Sequence, residues 1–174
     1  MTRGRVVLDG RTKDGDSPAF ISVNDGHRLA YAEYGDPAGV PVLFLHGTPG
    51  SRLLGSLFAN HAEESGVRLL AVDRPGFGRS PPLKDQPKRD AGWFIPAVLD
   101  TIGIETVGLI AFSGGSRHAV GAAARDGARI SRVDIVSGAT PPDVRKKVPR
   151  TQLVLEKLAA TAPLLLRGLF RGQA

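Results

Sequence analysis

Short apolar runs alternate with longer segments of mixed polarity through the middle of the chain. The runs are VPVLFLH (40–46), VRLLAVD (67–73), TVGLIAF (106–112) and SRVDIVS (131–137). The first three are almost continuously apolar, as strands covered on both faces must be. The segments between them suit helices. In 51–66, Ser51 offers an N-cap, and Leu53, Leu54, Leu57, Phe58 and His61 fall along one stripe. In 89–103, Ala91, Phe94, Ile95, Val98, Leu99 and Ile102 have similar spacing, and Pro96 must kink that helix or delay its start. The third segment, 114–128, is rich in small residues, as a helix pressed close to a sheet would be. Upstream, two β-rich runs in 19–36 flank Asp25 and Gly26, a hairpin signal because the turn needs positive φ. Strand–helix alternation of this kind predicts an α/β fold built on a doubly wound, mostly parallel sheet.

The two ends differ from this core, which is assigned to 19–140. Residues 1–18 are polar and charged without apolar periodicity and read as a flexible arm. Beyond Ala139 comes a proline-punctuated link, TPPDVRKKVPR, and then a helical pattern interrupted by Pro163. Leu164, Leu165, Leu166, Leu169 and Phe170 make its last part strongly apolar.

Composition and charge narrow the function classes. The 174 residues include no cysteine, which removes disulfides, thiolate metal sites and a cysteine nucleophile together and fits a reducing compartment. The N-terminus has no apolar signal-peptide region, and no run of about 18 apolar residues exists. The expectation is a cytoplasmic protein with no membrane span. The net charge of +6 invites a nucleic-acid reading, but residues 1–140 hold 16 Lys and Arg against 15 Asp and Glu. The last 34 residues hold 7 against 2, so the excess is local and reads as a solvated helix face. No nucleic-acid partner is expected.

Three motifs carry chemistry, each directly after a strand. The first is LIAFSGGS (109–116). Ser113 follows a buried-type strand and opens a helix, with Ala111 two residues before and Gly115 two after. A sharp strand-to-helix turn forces positive φ on its central residue and tolerates only small residues at those two places. It would expose the Ser113 hydroxyl near a helix N-terminus, where amide dipoles favour developing negative charge. An ordinary serine N-cap is the alternative reading. The second motif is HGTPGS (46–51), in which Gly47 permits an unusual turn after the strand. The Thr48 amide would then converge with that of Gly114 on one spot, as an oxyanion hole requires. Read alone, it is equally a simple turn. The third motif, DRPGFGRS (73–80), has neither the spacing of a dinucleotide fingerprint nor the Lys-Ser/Thr of a P-loop, so phosphate binding is rejected.

In this order and placement, FLHGTPGS, AVDRPGFGRS and LIAFSGGS resemble the α/β-hydrolase superfamily, in its branch of proline-iminopeptidase-like and epoxide-hydrolase-like members. The resemblance covers about residues 20–140 and implies that 141–174 begins a helical lid. It implies Ser113 as nucleophile, backbone donors at Thr48 and Gly114, and site support from His46, Gly47, Gly115 and the segment from Asp73 to Ser80. It implies hydrolysis of a small-molecule ester, amide or thioester through an acyl-serine, with no metal or other cofactor. A serine at the elbow, where epoxide- and halide-opening members carry a carboxylate, argues against those two chemistries.

The family's triad runs Ser, acid, His, so the base must follow Ser113. Of His27, His46, His61 and His118, only His118 does. It lies five residues on, inside the helix the serine opens, and is expected to pack beneath the elbow. Asp143, in the link after the fourth apolar run, is expected to be solvated. The base therefore looks absent, and the chain is expected to be weak or inactive. Three explanations stand: a C-terminally truncated hydrolase, which is favoured; a split enzyme completed by a partner; and a non-catalytic interaction module. Truncation would leave the apolar residues at 164–170 and a sheet edge uncovered, and self-association is expected from that. A membrane-surface role for 151–172 ranks below a lid.

Overall fold

The computed structural model describes residues 18–23, 26–82, 91–138, 150–162 and 164–165. The chain divides into two compact units, Met1–Ala139 and Thr140–Ala174. The first contains a six-stranded sheet. Its strands are β1 (Ala19–Val23), β2 (His27–Gly35), β3 (Val40–Leu45), β4 (Val67–Val72), β5 (Val107–Phe112) and β6 (Ile130–Val136). Their order across the sheet is β1-β2-β4-β3-β5-β6. β1 and β2 form an antiparallel hairpin and β2 runs antiparallel to β4. β4, β3, β5 and β6 are mutually parallel. At the hairpin, Gly26 has φ of +74°, while Asp25 lies outside the described residues.

The continuous apolar runs have the expected cause. Leu43 and Leu45 join one core with Leu70, Val72 and Leu109, whereas Phe44 joins a second core with Leu69 and Ala71. Alternate residues of β3 and β4 thus feed opposite faces, and both faces are dry. The first core is completed by Phe94, Ile95, Val98 and Leu99 of the segment leading into and forming helix α2 (Ile95–Ile102), and by Ala119 and Ala122 of helix α3 (Ser116–Arg125). Pro96 sits in the first turn of α2, where its missing N–H costs nothing, so the proline delays the helix rather than kinking it. Arg89 and Asp90, the start of the predicted segment, lie outside the described residues.

The segment 51–66 departs from its pattern. Ser51 does accept a bond from the Leu53 amide, but Arg52–Phe58 is a 3-10 helix, and only Ala59–Glu64 (α1) is α-helical. The expected stripe is buried only in part: Leu54 packs against the second core and the Phe58 ring lies beside Phe44, but Leu53 and Leu57 are exposed, and the buried residues are Arg52, Gly55 and Ala62. Two anchors explain this. Arg52 is tied to Asp73 at the end of β4, and Gly55 lies so close to Tyr34 and Ala71 that no side chain fits. Glycine also weakens an α-helix by about 1 kcal/mol against alanine.

The second unit contains helix α4 (Arg150–Thr161). Leu153, Val154, Leu164 and Leu165 are exposed. Asp143, Pro163, Leu166, Leu169 and Phe170 lie outside the described residues, as do residues 1–17. Among the described residues no helix is long and apolar enough to cross a membrane.

Candidate active site

The carboxyl ends of β3, β4 and β5 bring the three motifs together. β5 ends at Phe112 and passes through a single 3-10 turn, Ser113–Gly115, into α3. Ser113 has φ of +48°, one of two described non-glycine residues with positive φ. That conformation costs an L-residue about 1–2 kcal/mol. It also removes the N-cap reading, since an N-cap residue has extended φ and its side chain accepts from the following turn. The turn is tight because α3 starts hard against β3. A Cβ on Gly115 would lie 2.2 Å from the Leu45 carbonyl oxygen, so only glycine is accommodated.

Gly47 is required for a different reason from the one expected. It does not adopt a left-handed conformation; a Cβ there would meet the Phe112 ring at 2.9 Å and Ser113 Cβ at 3.2 Å. Closeness to the elbow is what demands glycine. Beside it, Thr48 faces Gly114. A Cβ on Gly114 would lie 2.9 Å from Thr48 Oγ1 and 3.6 Å from the Thr48 amide nitrogen. Neither amide donates any of the turn, loop or cap bonds among the described residues. Gly114 lies in the first turn of its helix, where amides have no intrahelical acceptor.

His46 is fully buried and both ring nitrogens are engaged. Nδ1–H donates to the Gly47 carbonyl at 2.8 Å, and Nε2 accepts from the Arg74 amide at 3.1 Å. This fixes the neutral tautomer, and burial pushes the imidazole down from 6.5 to about 4. Asp73 is equally buried. One carboxylate oxygen accepts from the Arg52 amide, and the other from Arg52 Nη1 at 2.9 Å and the Arg79 amide at 2.8 Å. Its carbonyl accepts from Ser80 Oγ, which in turn accepts from the Ala30 amide. This network joins the 3-10 helix, the loop after β4 and strand β2.

Sequence patterning left Arg74 among the supporting residues. In the structure it is the hub of the site. It is 4% exposed, and its Nη2 donates to the Gly47 carbonyl and to Thr48 Oγ1, both at 2.8 Å. Nη1 lies 3.3 Å from His118 Nε2, and the guanidinium stacks 4.3 Å from the centre of the Phe77 ring. Burial, reinforced by Arg117, lowers it to about 10. The only sequence signal was its place directly after a strand and a buried acid; which cation that acid would take was not legible.

His118, inside α3, faces Phe94, Gly92 and Arg74 and lines the opening beside Thr48 and Gly114. It is 9% exposed, lies against Phe94, and has Nδ1 3.2 Å from the Gly92 amide. Burial, with Arg74 and Arg117 nearby, takes it down to about 3. No hydrogen bond joins any histidine to Ser113 among the described residues. No group of three or more His, Asp or Glu there is arranged to hold a metal ion.

The chain matches a family model of the alpha/beta hydrolase fold over residues 40–172. The chain belongs to the α/β hydrolase fold family. Among curated α/β hydrolase relatives, a proline iminopeptidase of Xylella fastidiosa is 40% identical over 63 residues, 36% of this chain and 20% of that protein. A 2-hydroxy-6-oxononadienedioate/2-hydroxy-6-oxononatrienedioate hydrolase of Cupriavidus pinatubonensis is 32% identical over 133 residues, 74% of this chain and 43% of that protein. An esterase structure from Exiguobacterium antarcticum superposes with TM-score 0.65 at 22% identity, covering 87% of this chain and 59% of that one. An epoxide hydrolase from Vigna radiata gives 0.64 at 23%, covering 79% and 44%. These two likenesses speak to fold alone. The chain spans less than half the length of the curated relatives it matches.

Proposed function

We propose that this chain carries the nucleophile half of a serine hydrolase acting on a small-molecule ester, amide or thioester. Ser113 attacks the carbonyl carbon and the Thr48 and Gly114 amides hold the resulting oxyanion. His46, Gly47, Asp73 and Gly115 hold the loops in register, and 141–174 begins a lid. The observation that carries this reading is the positive φ of Ser113, strain placed on a serine that supplies no cap and lies next to the Thr48–Gly114 pair. Hydrolase relatives support the reaction class.

Among the described residues no histidine is hydrogen-bonded to Ser113 as a base. His46 has both ring nitrogens engaged and His118 faces Arg74 and Gly92, so among the described residues Ser113 has no histidine as proton acceptor. The 174-residue chain is then a slow catalyst, with Ser113 acylated slowly by activated esters whose carbonyl oxygen the two amides hold. That lack of a bonded histidine is also the observation favouring the second reading, a non-catalytic interaction module. Turnover of a nitrophenyl ester separates them. The hydrolase reading predicts a rate above buffer that Ser113→Ala returns to the buffer rate. A rate unchanged by Ser113→Ala would refute it.

A further inference from the structure

Next to the elbow lies a cavity of about 400 Å³, lined among the described residues by Thr48, Arg74, Phe77, Gly114, Arg117 and His118. It contacts both proposed oxyanion donors. Its charge is one-sided: two guanidiniums line it and no carboxylate does.

Arg74 is short of acceptors. Of its five N–H groups, the two on Nη2 reach neutral oxygens, one on Nη1 faces His118 Nε2, and the buried Nε has no partner. The bond to His118 is itself contested. A neutral imidazole has one acceptor nitrogen, yet His118 Nδ1 faces the Gly92 amide while Nε2 faces Arg74. One of these two donors goes unmet. Arg52 makes the contrast plain: it is equally buried but holds the carboxylate of Asp73, the residue next to Arg74 in the chain. Among the described residues neither Arg74 nor Arg117 forms an ion pair. A buried cation with neutral partners alone is costly to maintain, and the Phe77 ring offsets only part of that cost.

We propose that this cavity is a carboxylate-binding subsite, so that the acyl substrate of Ser113 carries a second, anionic carboxylate that docks on Arg74 and Arg117. A negative charge that no described residue lining the cavity supplies then arrives with the substrate. Arg74 positions the Gly47–Thr48 turn through its Nη2 bonds, so a bound carboxylate and the oxyanion donors share one guanidinium. Arg117 is exposed at the mouth and supplies the second charge. This inference deepens the hydrolase reading and rests on it for the identity of the ligand as substrate.

The test is calorimetric titration of the full chain with monomethyl adipate and with the neutral dimethyl ester, alongside turnover of the mono-4-nitrophenyl ester of glutaric acid against 4-nitrophenyl butyrate. The expected result is saturable binding of the monoanion only, weakened roughly tenfold or more in Arg117→Gln and weakened by salt. A matching preference in kcat/KM for the anionic ester is expected, lost in the same variant. Arg117→Gln serves because Arg74→Met risks the fold. Binding of the monoanion without Ser113-dependent turnover would uphold the anion site and refute the hydrolase reading. Ser113-dependent turnover with no preference and no monoanion binding would refute the subsite and leave the hydrolase reading standing. Equal binding of both adipates, unaffected by Arg117→Gln, would also overturn the subsite.

Discussion

Ser113 concentrates the argument at the scale of a residue. A left-handed φ is tolerated at glycine but costs a serine about 1–2 kcal/mol, so the side chain is kept in place against a local penalty. Ser113→Gly is therefore expected to unfold at higher urea than Ser113→Ala, by about 1 kcal/mol; equal midpoints would mean the turn is unstrained. Asp73 works in the opposite sense. It is fully buried against an equally buried Arg52, and Asp73→Asn would leave that guanidinium without its anion. A loss of about 3–5 kcal/mol is expected in the same measurement. The two buried histidines set the acid limb. Both are held neutral when folded, His46 down to about 4 and His118 to about 3, against 6.5 when exposed. Below pH 6.5 the unfolded chain binds protons that the folded chain refuses, so stability falls as pH drops from 6.5 toward 4 and is flat just above it. Urea midpoints between pH 7.5 and 5 read this directly, and His46→Gln should shallow the slope.

At the scale of elements, close backbone approach locks the loops after β3 and β5, and buried side-chain bonds of Asp73, Arg74 and Ser80 lock the loop after β4. Gly115→Ala puts a methyl group 2.2 Å from the Leu45 carbonyl and should cost about 1–3 kcal/mol while leaving the far end of the sheet intact. Amide exchange faster in β3 and β5 but not in β1 and β2 would show that pattern; uniform loss would contradict it. Much of this layer was legible in the sequence. β3, β4 and β5 announce themselves because both faces of their central residues are buried, so these runs are almost continuously apolar. The elbow was legible because small residues flank Ser113 at the required offsets. The 3-10 segment was not: Leu53 and Leu57 of its apolar stripe are exposed, and its course is set by Arg52 and Gly55 meeting partners far away in sequence. The hub role of Arg74 was hidden for the same reason. No local pattern states that Arg52, rather than the adjacent Arg74, takes the Asp73 carboxylate.

At the scale of the first unit, β1 and β6 are the two edges of the sheet among the described strands. β6 pairs only with β5 among the described strands, and Ile135 and Val136 are about half exposed. An open parallel edge with apolar side chains invites a second chain. Sedimentation should show a mass rising with concentration, reduced in Val136→Lys; a constant monomer mass would contradict this. The central claim is chemical, however, and rests on one atom. The measurement that tests it most directly is the intact mass of the chain after prolonged incubation with excess fluorophosphonate, followed by peptide mapping. The account predicts slow formation of a single adduct, located on Ser113 and absent from Ser113→Ala. No adduct, or an adduct on another serine that persists in the variant, would mean that Ser113 is not a nucleophile.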